Sequence, residues 1–231
     1  MDWQALIDLD KQLLLWFNGS QSLFLDSLVR TLTHAFTWIP CYVSLFYIVL
    51  RNNDNVARIL YILAGAAVCV LMAGMVDDAI VKPTVARWRP THDPQIGMLV
   101  DIVDGYRGGK YGFFSAHAAN TFSVAVFFWW LVRSRLLTFW MVVWSLTNCW
   151  TRLYLGVHFP GDILVGLCWG TVCGSFAYWL YYRLTRSMKS MAFTSAYYTK
   201  TGYQRQQVDI YIVVFILTVL YALIRATFSL Q

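Results

Sequence analysis

The sequence predicts an all-α protein: an integral-membrane bundle of about six transmembrane helices, preceded by an N-terminal amphipathic helix at the membrane interface. Of the 231 residues, 58% are hydrophobic and only 13% are charged, whereas soluble domains carry about 25% charged residues. Six apolar stretches are long enough to cross a bilayer, which takes about 20 residues of helix. The chain has no repeat and no linker between them, so we expect one membrane-embedded domain over residues 1–231.

The first predicted element is the N-terminal helix. Its apolar residues recur at helical spacing: Trp3, Leu6, Ile7, Leu13, Leu14 and Phe17. Asp2, Asp8 and Asp10 stand where a signal peptide would be basic, so a cleaved leader is not expected. The pattern favours a helix that lies on the membrane surface. The alternative is that these residues form the first turns of a longer span.

The six predicted spans cover about residues 22–50, 57–81, 116–132, 136–155, 161–182 and 209–229. Asp26, Arg30 and His34 interrupt the first stretch, so its membrane part should begin near Phe36. Residues 133–135 form a tight basic turn between the third and fourth spans.

The positions of the cations orient the bundle. Basic residues concentrate in the connections 51–58, 133–135 and 183–208, the last of which includes Lys189. The positive-inside rule makes that side cytoplasmic. Both termini and the long connection 82–115 then face the periplasm or an equivalent outer compartment of an inner or plasma membrane protein. Since this outer connection is also basic, its cations require another role.

The net charge of +6 limits the kinds of binding partner that we expect. A basic protein can bind nucleic acid, anionic lipid headgroups or a phosphate substrate. The high hydrophobic content favours the membrane and a lipid phosphate, and we expect no nucleic acid. The five cysteines lie in apolar runs without a CxxC pair, so they are predicted to be buried hydrophobic residues rather than zinc or redox sites.

Two polar clusters lie at the outer ends of predicted spans. Lys82, Arg87 and Arg89 follow the second span, and the first interpretation of such a flank is contact with headgroups. Ser115 begins the third span as a predicted N-cap, with His117 in the first turn. The free amides of a helix N-terminus attract anions.

A third cluster precedes the fifth span. Arg152 is followed by Gly156, which lets the chain turn, and by His158 and Asp162. Asp162 lies one helical turn beyond His158, so its carboxylate is expected to approach the imidazole. A carboxylate at one ring nitrogen fixes the tautomer and makes the other nitrogen nucleophilic.

Two kinds of site fit the three clusters. His158, Asp162 and His117 are residue types that bind metals. Lys82, Arg89 and Arg152, however, would repel a divalent cation and bind a phosphate dianion. We therefore predict a phosphate site without a metal.

These residues carry a resemblance to a known family. Lys82-x6-Arg89-Pro90, then Ser115-x-His117, then Arg152-x5-His158-x3-Asp162 resembles the three-part signature of the type 2 phosphatidic acid phosphatase superfamily, in its membrane lipid phosphatase branch. The resemblance covers about residues 57–182 and leaves the N-terminal helix and the last span outside. Three signature positions depart from the pattern: Phe114 replaces Pro, Ala116 replaces Gly, and Thr151 replaces Ser.

The resemblance implies a mechanism and a role for each residue. His158 is the expected nucleophile of a phosphohistidine intermediate, oriented by Asp162, and His117 is the expected general acid and then base. The phosphoryl oxygens are expected to contact Lys82, Arg89, Ser115 and Arg152. The implied chemistry needs no metal and no cofactor.

The predicted function is hydrolysis of a lipid phosphate. Undecaprenyl diphosphate, lipid A phosphate and phosphatidylglycerol phosphate remain open as substrates. Arg107, Lys110 and His92 are accessory candidates for headgroup contact; the first two would hold a second phosphate. Two alternatives share the site: a lipid phosphotransferase, and a non-catalytic transporter or binding protein for phosphate lipids. The sequence leaves the oligomeric state open.

Overall fold

The computed structural model describes residues 3–188 and 195–228, where nine α-helices account for most of the chain. Lys189, one of the predicted cytoplasmic cations, lies outside this part. The helices are α1 Trp3–Phe17, α2 Leu23–Thr33, α3 Ile39–Arg51, α4 Val56–Val70, α5 Lys82–Val85, α6 Ala116–Val132, α7 Arg135–Tyr154, α8 Pro160–Thr185 and α9 Arg205–Phe228. These residues contain no β-strand, only two isolated bridges, so the predicted all-α class is confirmed.

Within the described residues, three helices are long and apolar enough to cross a membrane: Val56–Val85, Pro160–Thr185 and Arg205–Phe228. A fourth span arises if Leu23–Thr33 and Ala35–Arg51 are taken together, although they are bent by 69°. The chain is therefore a membrane protein with three or four candidate spans in its described part. The full set of six spans stays a prediction. So does the placement of α1 at the membrane interface, although α1 is helical and exposes Trp3 and Trp16.

The bend near His34 falls where the polar residues interrupt the first apolar stretch. α2 ends at Thr33, a 3₁₀ turn covers Ala35–Trp38, and α3 then begins at Ile39. Pro40 stands in the first turn of α3, where its missing N–H costs no hydrogen bond. The membrane part of this stretch was expected to begin near Phe36, and the helix axis changes direction at that point.

A stripe of glycines brings α6 and α8 together. Gly166, Gly170 and Gly174 recur every four residues on α8, so they share one face. A Cβ at Gly170 would lie 2.7 Å from the carbonyl oxygen of Ala119, and one at Gly174 would lie closer still to that of Ser123. The backbones of the two helices therefore touch, as small residues permit in membrane helix pairs. Because the contacts advance along both helices together, α6 and α8 run parallel and their N-termini lie side by side.

The connectivity collects the signature residues at one end of the bundle. The Val56–Val85 helix passes through two π-helical segments, Leu71–Met75 and Asp77–Val81, before it reaches Lys82. α7 runs from the far end back toward the N-termini of α6 and α8 and carries Arg152 in its last turn. Gly156, at a φ of +63°, then turns the chain toward His158, which is the turn expected from the sequence.

Candidate active site

His158 lies in the short connection between α7 and α8, with only 2% of its surface exposed. Nη1 of Arg89 lies 3.1 Å from Nε2 of the imidazole and donates to it. Nε2 must then carry a lone pair, so the ring proton sits on Nδ1. Burial lowers the pKa of His158 well below its ordinary value, and the charges of Arg89, Arg152 and Lys82 lower it further. The imidazole is therefore neutral, the form that a nucleophile needs.

Backbone carbonyls hold Arg89 in this position. Its Nε donates to the oxygen of Tyr111 at 3.1 Å, and Nη1 donates to the oxygen of Val157 at 3.0 Å. Glycine gives the stem of this side chain its space, because a Cβ at Gly112 would lie 2.9 Å from Cγ of Arg89. A buried and backbone-anchored guanidinium is a preorganised binding group for an oxyanion.

Asp162 lies beside His158 in the first turn of α8. Its Oδ2 accepts a hydrogen bond from the amide of Phe159 at 2.9 Å and lies 3.7 Å from Nδ1 of His158. The spacing of four residues therefore brings the carboxylate next to the imidazole, at a distance longer than a hydrogen bond. The other oxygen, Oδ1, accepts from Nη1 of Arg87 at 2.7 Å.

Ser115 is the N-cap of α6, as expected, despite the departures from the family pattern at Phe114 and Ala116. Its Oγ accepts from the amide of Ala118 at 3.4 Å. Its own amide donates to the carbonyl oxygen of Asp162 at 3.1 Å, which ties the start of α6 to the start of α8.

Arg152 is held by two side chains from other parts of the chain. Nη1 donates to the hydroxyl of Thr33 at 2.8 Å, and Nη2 donates to the hydroxyl of Tyr106 at 3.1 Å. Burial opposes ionisation of the Tyr106 phenol, but the charges of Arg152, Arg89 and Arg30 outweigh it and lower the pKa of this group.

Lys82 is paired with acids of its own helix. Its Nζ lies 2.7 Å from Oδ2 of Asp77, which is fully buried, and 2.5 Å from Oδ1 of Asp78. Two carboxylates of its own helix therefore compensate the charge of this predicted phosphate ligand.

A cavity of about 1320 Å³ reaches Arg152 and its partners, whereas His158, Arg89 and Lys82 lie outside its lining. His117 and Arg152 line it, together with Tyr106. Its apolar lining comes from the turn after α2, the start of α3 and the middle of α9: Phe36, Pro40, Val214, Leu217 and Tyr221. The cavity therefore connects the polar site with the surfaces of predicted membrane spans.

Comparison with known proteins places this geometry in a family. Residues 59–186 match the model of the PAP2 superfamily. The chain belongs to the PAP2 superfamily. The match nearly coincides with the region, about 57–182, over which the sequence resembled that family, and it excludes α1, α2, α3 and α9.

Two curated PAP2 relatives are lipid A 4'-phosphatases. The protein of Bacteroides thetaiotaomicron is 40% identical over 186 residues, which cover 80% of each chain. That of Porphyromonas gingivalis is 33% identical over 181 residues, which cover 77% of this chain and 75% of the relative. No solved structure matches the chain. With the PAP2 domain, these relatives make the chain a phosphatase that acts on lipid phosphate esters.

The accessory candidates have local contacts outside the lining of the cavity. Nη1 of Arg107 donates to the carbonyl oxygen of Thr91 at 3.3 Å, and Nζ of Lys110 lies 4.7 Å from the ring centroid of Trp88. Nδ1 of His92 lies 3.1 Å from the hydroxyl of Thr91. A role for these three residues in headgroup binding stays a prediction.

The PAP2 site also contains residues that the sequence did not assign to it. Thr33 and Tyr106 hold Arg152, Asp77 holds Lys82, and Arg87 and Asp10 stand behind Asp162. Arg87 was noted only as a cation of the first cluster. No local pattern marks such partners, because they meet only when distant segments pack together.

The described residues include no group of three His, Cys or Asp side chains placed to hold a metal ion. Independence from metals remains a prediction that a chelator tests.

Proposed function

We propose that this PAP2 phosphatase removes a phosphate monoester from lipid A in two steps, through a phosphohistidine on His158. The observation that carries the proposal is the buried imidazole of His158, whose Nε2 lies 3.1 Å from Nη1 of Arg89 while Oδ2 of Asp162 lies 3.7 Å from Nδ1. A binding site needs only cations. A nucleophilic nitrogen among them supports covalent catalysis.

In the first step, Nε2 of His158 attacks phosphorus and the bond between phosphorus and the sugar oxygen breaks. His117 donates a proton to the leaving oxygen. In the second step, His117 takes a proton from water, which attacks the phosphohistidine and releases inorganic phosphate. His158 returns to its starting state, so no metal or other co-reactant enters the balance.

The cations stabilise the charge that spreads over the phosphoryl oxygens in both steps. Arg89 would exchange its contact with Nε2 for a phosphoryl oxygen as phosphorus approaches. Arg152 would add the charge of a guanidinium that Thr33 and Tyr106 hold in place. Lys82 would share its ammonium group between the phosphate and its two acids. Ser115 and the α6 N-terminus add neutral donors.

The cavity supports a large amphiphilic substrate. Its volume of about 1320 Å³ exceeds the roughly 300–1,000 Å³ of ordinary ligand pockets. Its polar lining is suited to a sugar phosphate, and its apolar lining from α3 and α9 is suited to acyl chains. Among the three substrates left open by the sequence, the names of the two relatives favour lipid A.

The direct test is phosphate release from purified lipid A, with undecaprenyl diphosphate and phosphatidylglycerol phosphate as competing substrates. Mass spectrometry then locates the lost group, since mild acid removes the glycosidic 1-phosphate and spares the 4'-phosphate. We expect loss of the 4'-phosphate and no activity for His158→Ala. EDTA should not inhibit, whereas vanadate should. Phosphate release only from another lipid would refute the substrate assignment, and transfer to a second lipid without free phosphate would indicate the phosphotransferase.

A further inference from the structure

Asp10 of α1 reaches the active-site end of α8. Its Oδ1 accepts from the amide of Gly161 at 2.7 Å, and its Oδ2 accepts from Nη2 of Arg87 at 2.7 Å. A Cβ at Gly161 would lie 2.9 Å from Oδ2 of Asp10. A side chain at position 161 would therefore push the carboxylate away.

Arg87 connects this carboxylate to the one beside the nucleophile. Nη2 binds Asp10, and Nη1 donates to Oδ1 of Asp162 at 2.7 Å. The guanidinium also lies 4.3 Å from the ring centroid of Phe159. A planar group bound at two edges and stacked on a ring has little freedom to turn.

Asp162 is consequently fixed at both oxygens. Arg87 holds Oδ1, and the amide of Phe159 holds Oδ2, the oxygen nearest to His158. Asp162 is fully buried, and a buried carboxylate stays ionised only when it is paired. Without Arg87, it would lose both its orientation and its paired charge.

Packing and hydrogen bonds hold α1 against this end of the bundle. Leu14 is fully buried in a cluster with Phe159 and Ile163. Nδ2 of Asn18 donates to the carbonyl oxygens of Tyr154 at 2.8 Å and Asp101 at 3.1 Å. The family match begins only at residue 59, so α1 lies outside the matched region.

We propose that α1 completes the active site: Asp10 and Arg87 are positioning residues that act through Asp162 on His158. The path runs from Asp10 to Arg87, then to Asp162 and the Nδ1 side of the imidazole. Asp10 also acts on α8 directly, because its hydrogen bond to Gly161 occupies a free amide in the first turn of that helix. Neither residue is expected to touch the substrate.

This proposal rests on the phosphohistidine mechanism, but not on lipid A as the substrate. Its test therefore uses p-nitrophenyl phosphate with the full-length protein in detergent. Asp10→Asn keeps the size of the side chain and removes its charge. Asp8→Asn is the matched control, since Asp8 is exposed on the same helix and accepts a hydrogen bond from Gln4, one turn earlier. Arg87→Gln removes the connecting group.

Removing a residue that orients a group at the reacting centre typically lowers activity about 10–100-fold. We expect kcat to fall about 10-fold for Asp10→Asn and up to about 10²-fold for Arg87→Gln, which misplaces Asp162 directly. KM and inhibition by vanadate should stay at wild-type values in both variants, because the phosphate-binding cations remain. The unfolding temperature should stay unchanged in Asp10→Asn, whereas Arg87→Gln leaves the buried Asp162 without its paired cation and should unfold at a lower temperature. Asp10→Asn added to Arg87→Gln should cause no further loss, since both act along one path.

An unchanged kcat for Asp10→Asn would overturn the proposal. So would a fall in the kcat of Asp10→Asn that is matched by weaker vanadate inhibition or a lower unfolding temperature, or independent losses in the double variant. Turnover that survives His158→Ala would refute the mechanism and the positioning roles together. If Asp10→Asn lowers kcat as expected but the wild-type protein does not act on lipid A, only the assignment of the substrate is refuted.

Discussion

His117 and His158 have different surroundings, and the proposed mechanism gives them different roles. His158 is almost fully buried against Arg89, whereas His117 lines the open cavity with Arg152. In the proposed mechanism, His158 attacks phosphorus and His117 protonates the leaving oxygen. This difference gives a prediction about leaving groups.

For His117→Ala, we expect a large loss of kcat on a lipid phosphate and a much smaller loss on p-nitrophenyl phosphate. A sugar or alkyl oxygen needs a proton to leave, while p-nitrophenolate needs little help. General acid catalysis contributes about 10²–10⁴-fold, so the two losses should differ measurably. Steady-state kinetics on both substrates with one enzyme preparation checks this. Equal losses would make His117 a phosphate ligand or a structural residue.

Neighbouring cations also control the protonation of His158. Burial lowers its pKa, and Arg89, Arg152 and Lys82 lower it further. A lowered pKa keeps the nucleophile neutral as the pH falls through 6.5, so activity is lost only at lower pH. Removing a cation must raise this pKa. In Arg89→Gln, the acidic limb of log kcat/KM should therefore move to higher pH.

The pH profile of kcat/KM measures that shift, and ionisation of the substrate cancels because it is the same for both enzymes. Arg51→Gln, which removes an exposed cation at the end of α3, should leave the profile in place. If the acidic limb of Arg89→Gln keeps its wild-type position or moves to lower pH, the result would contradict the proposal that His158 is the nucleophile.

At the scale of elements, the contact between α6 and α8 sets the distance between Ser115 and Asp162. Gly170 has no room for a side chain, since its Cβ would lie 2.7 Å from the oxygen of Ala119. Gly170→Ala should separate the helices. Overpacking of this kind costs about 1–3 kcal/mol, so the unfolding temperature and kcat should both fall.

Thr171→Ala is the matched control for this change. Thr171 is the next residue of α8, is exposed, and its hydroxyl donates to the carbonyl oxygen of Leu167 on the same helix. Thermal unfolding in detergent and phosphate release measure both variants. A Gly170→Ala protein as stable and active as Thr171→Ala would show that the close approach is unnecessary.

At the scale of the whole molecule, the location of the active site follows from topology. The predicted outer connection carries Gly109, where an added Cβ meets nothing within 4 Å. The opposite turn offers Arg135, which is exposed, whereas Ser134 is buried as the N-cap of α7. A cysteine at 109 should react with an impermeant reagent in intact cells. A cysteine at 135 should react only after permeabilisation.

The background for this experiment must lack the natural cysteines, of which Cys168 is exposed. The reverse labelling pattern would place the active site on the cytoplasmic side and would rule out a substrate presented from the periplasm.

The sequence by itself determined the features that act within one or two helical turns. The N-cap at Ser115, the turn at Gly156 and the approach of Asp162 to His158 all follow from local spacing. Their physical basis is short-ranged, because caps, left-handed turns and i,i+4 neighbours depend on residues close in the chain. The same local patterns carried the family signature, and with it the expected chemistry.

Only the tertiary structure decided which distant groups support that chemistry. Arg87 and Asp162 are 75 residues apart, Asp10 and Gly161 are 151 apart, and Arg152 meets Tyr106 across 46 residues. Nothing in the sequence marks an aspartate of an amphipathic helix as a partner of the active site. These contacts exist because the glycine face of α8 aligns two helix N-termini and the buried Leu14 docks α1 beside them. Packing of whole helices, rather than the spacing of residues, brings the carboxylate of Asp10 to the site.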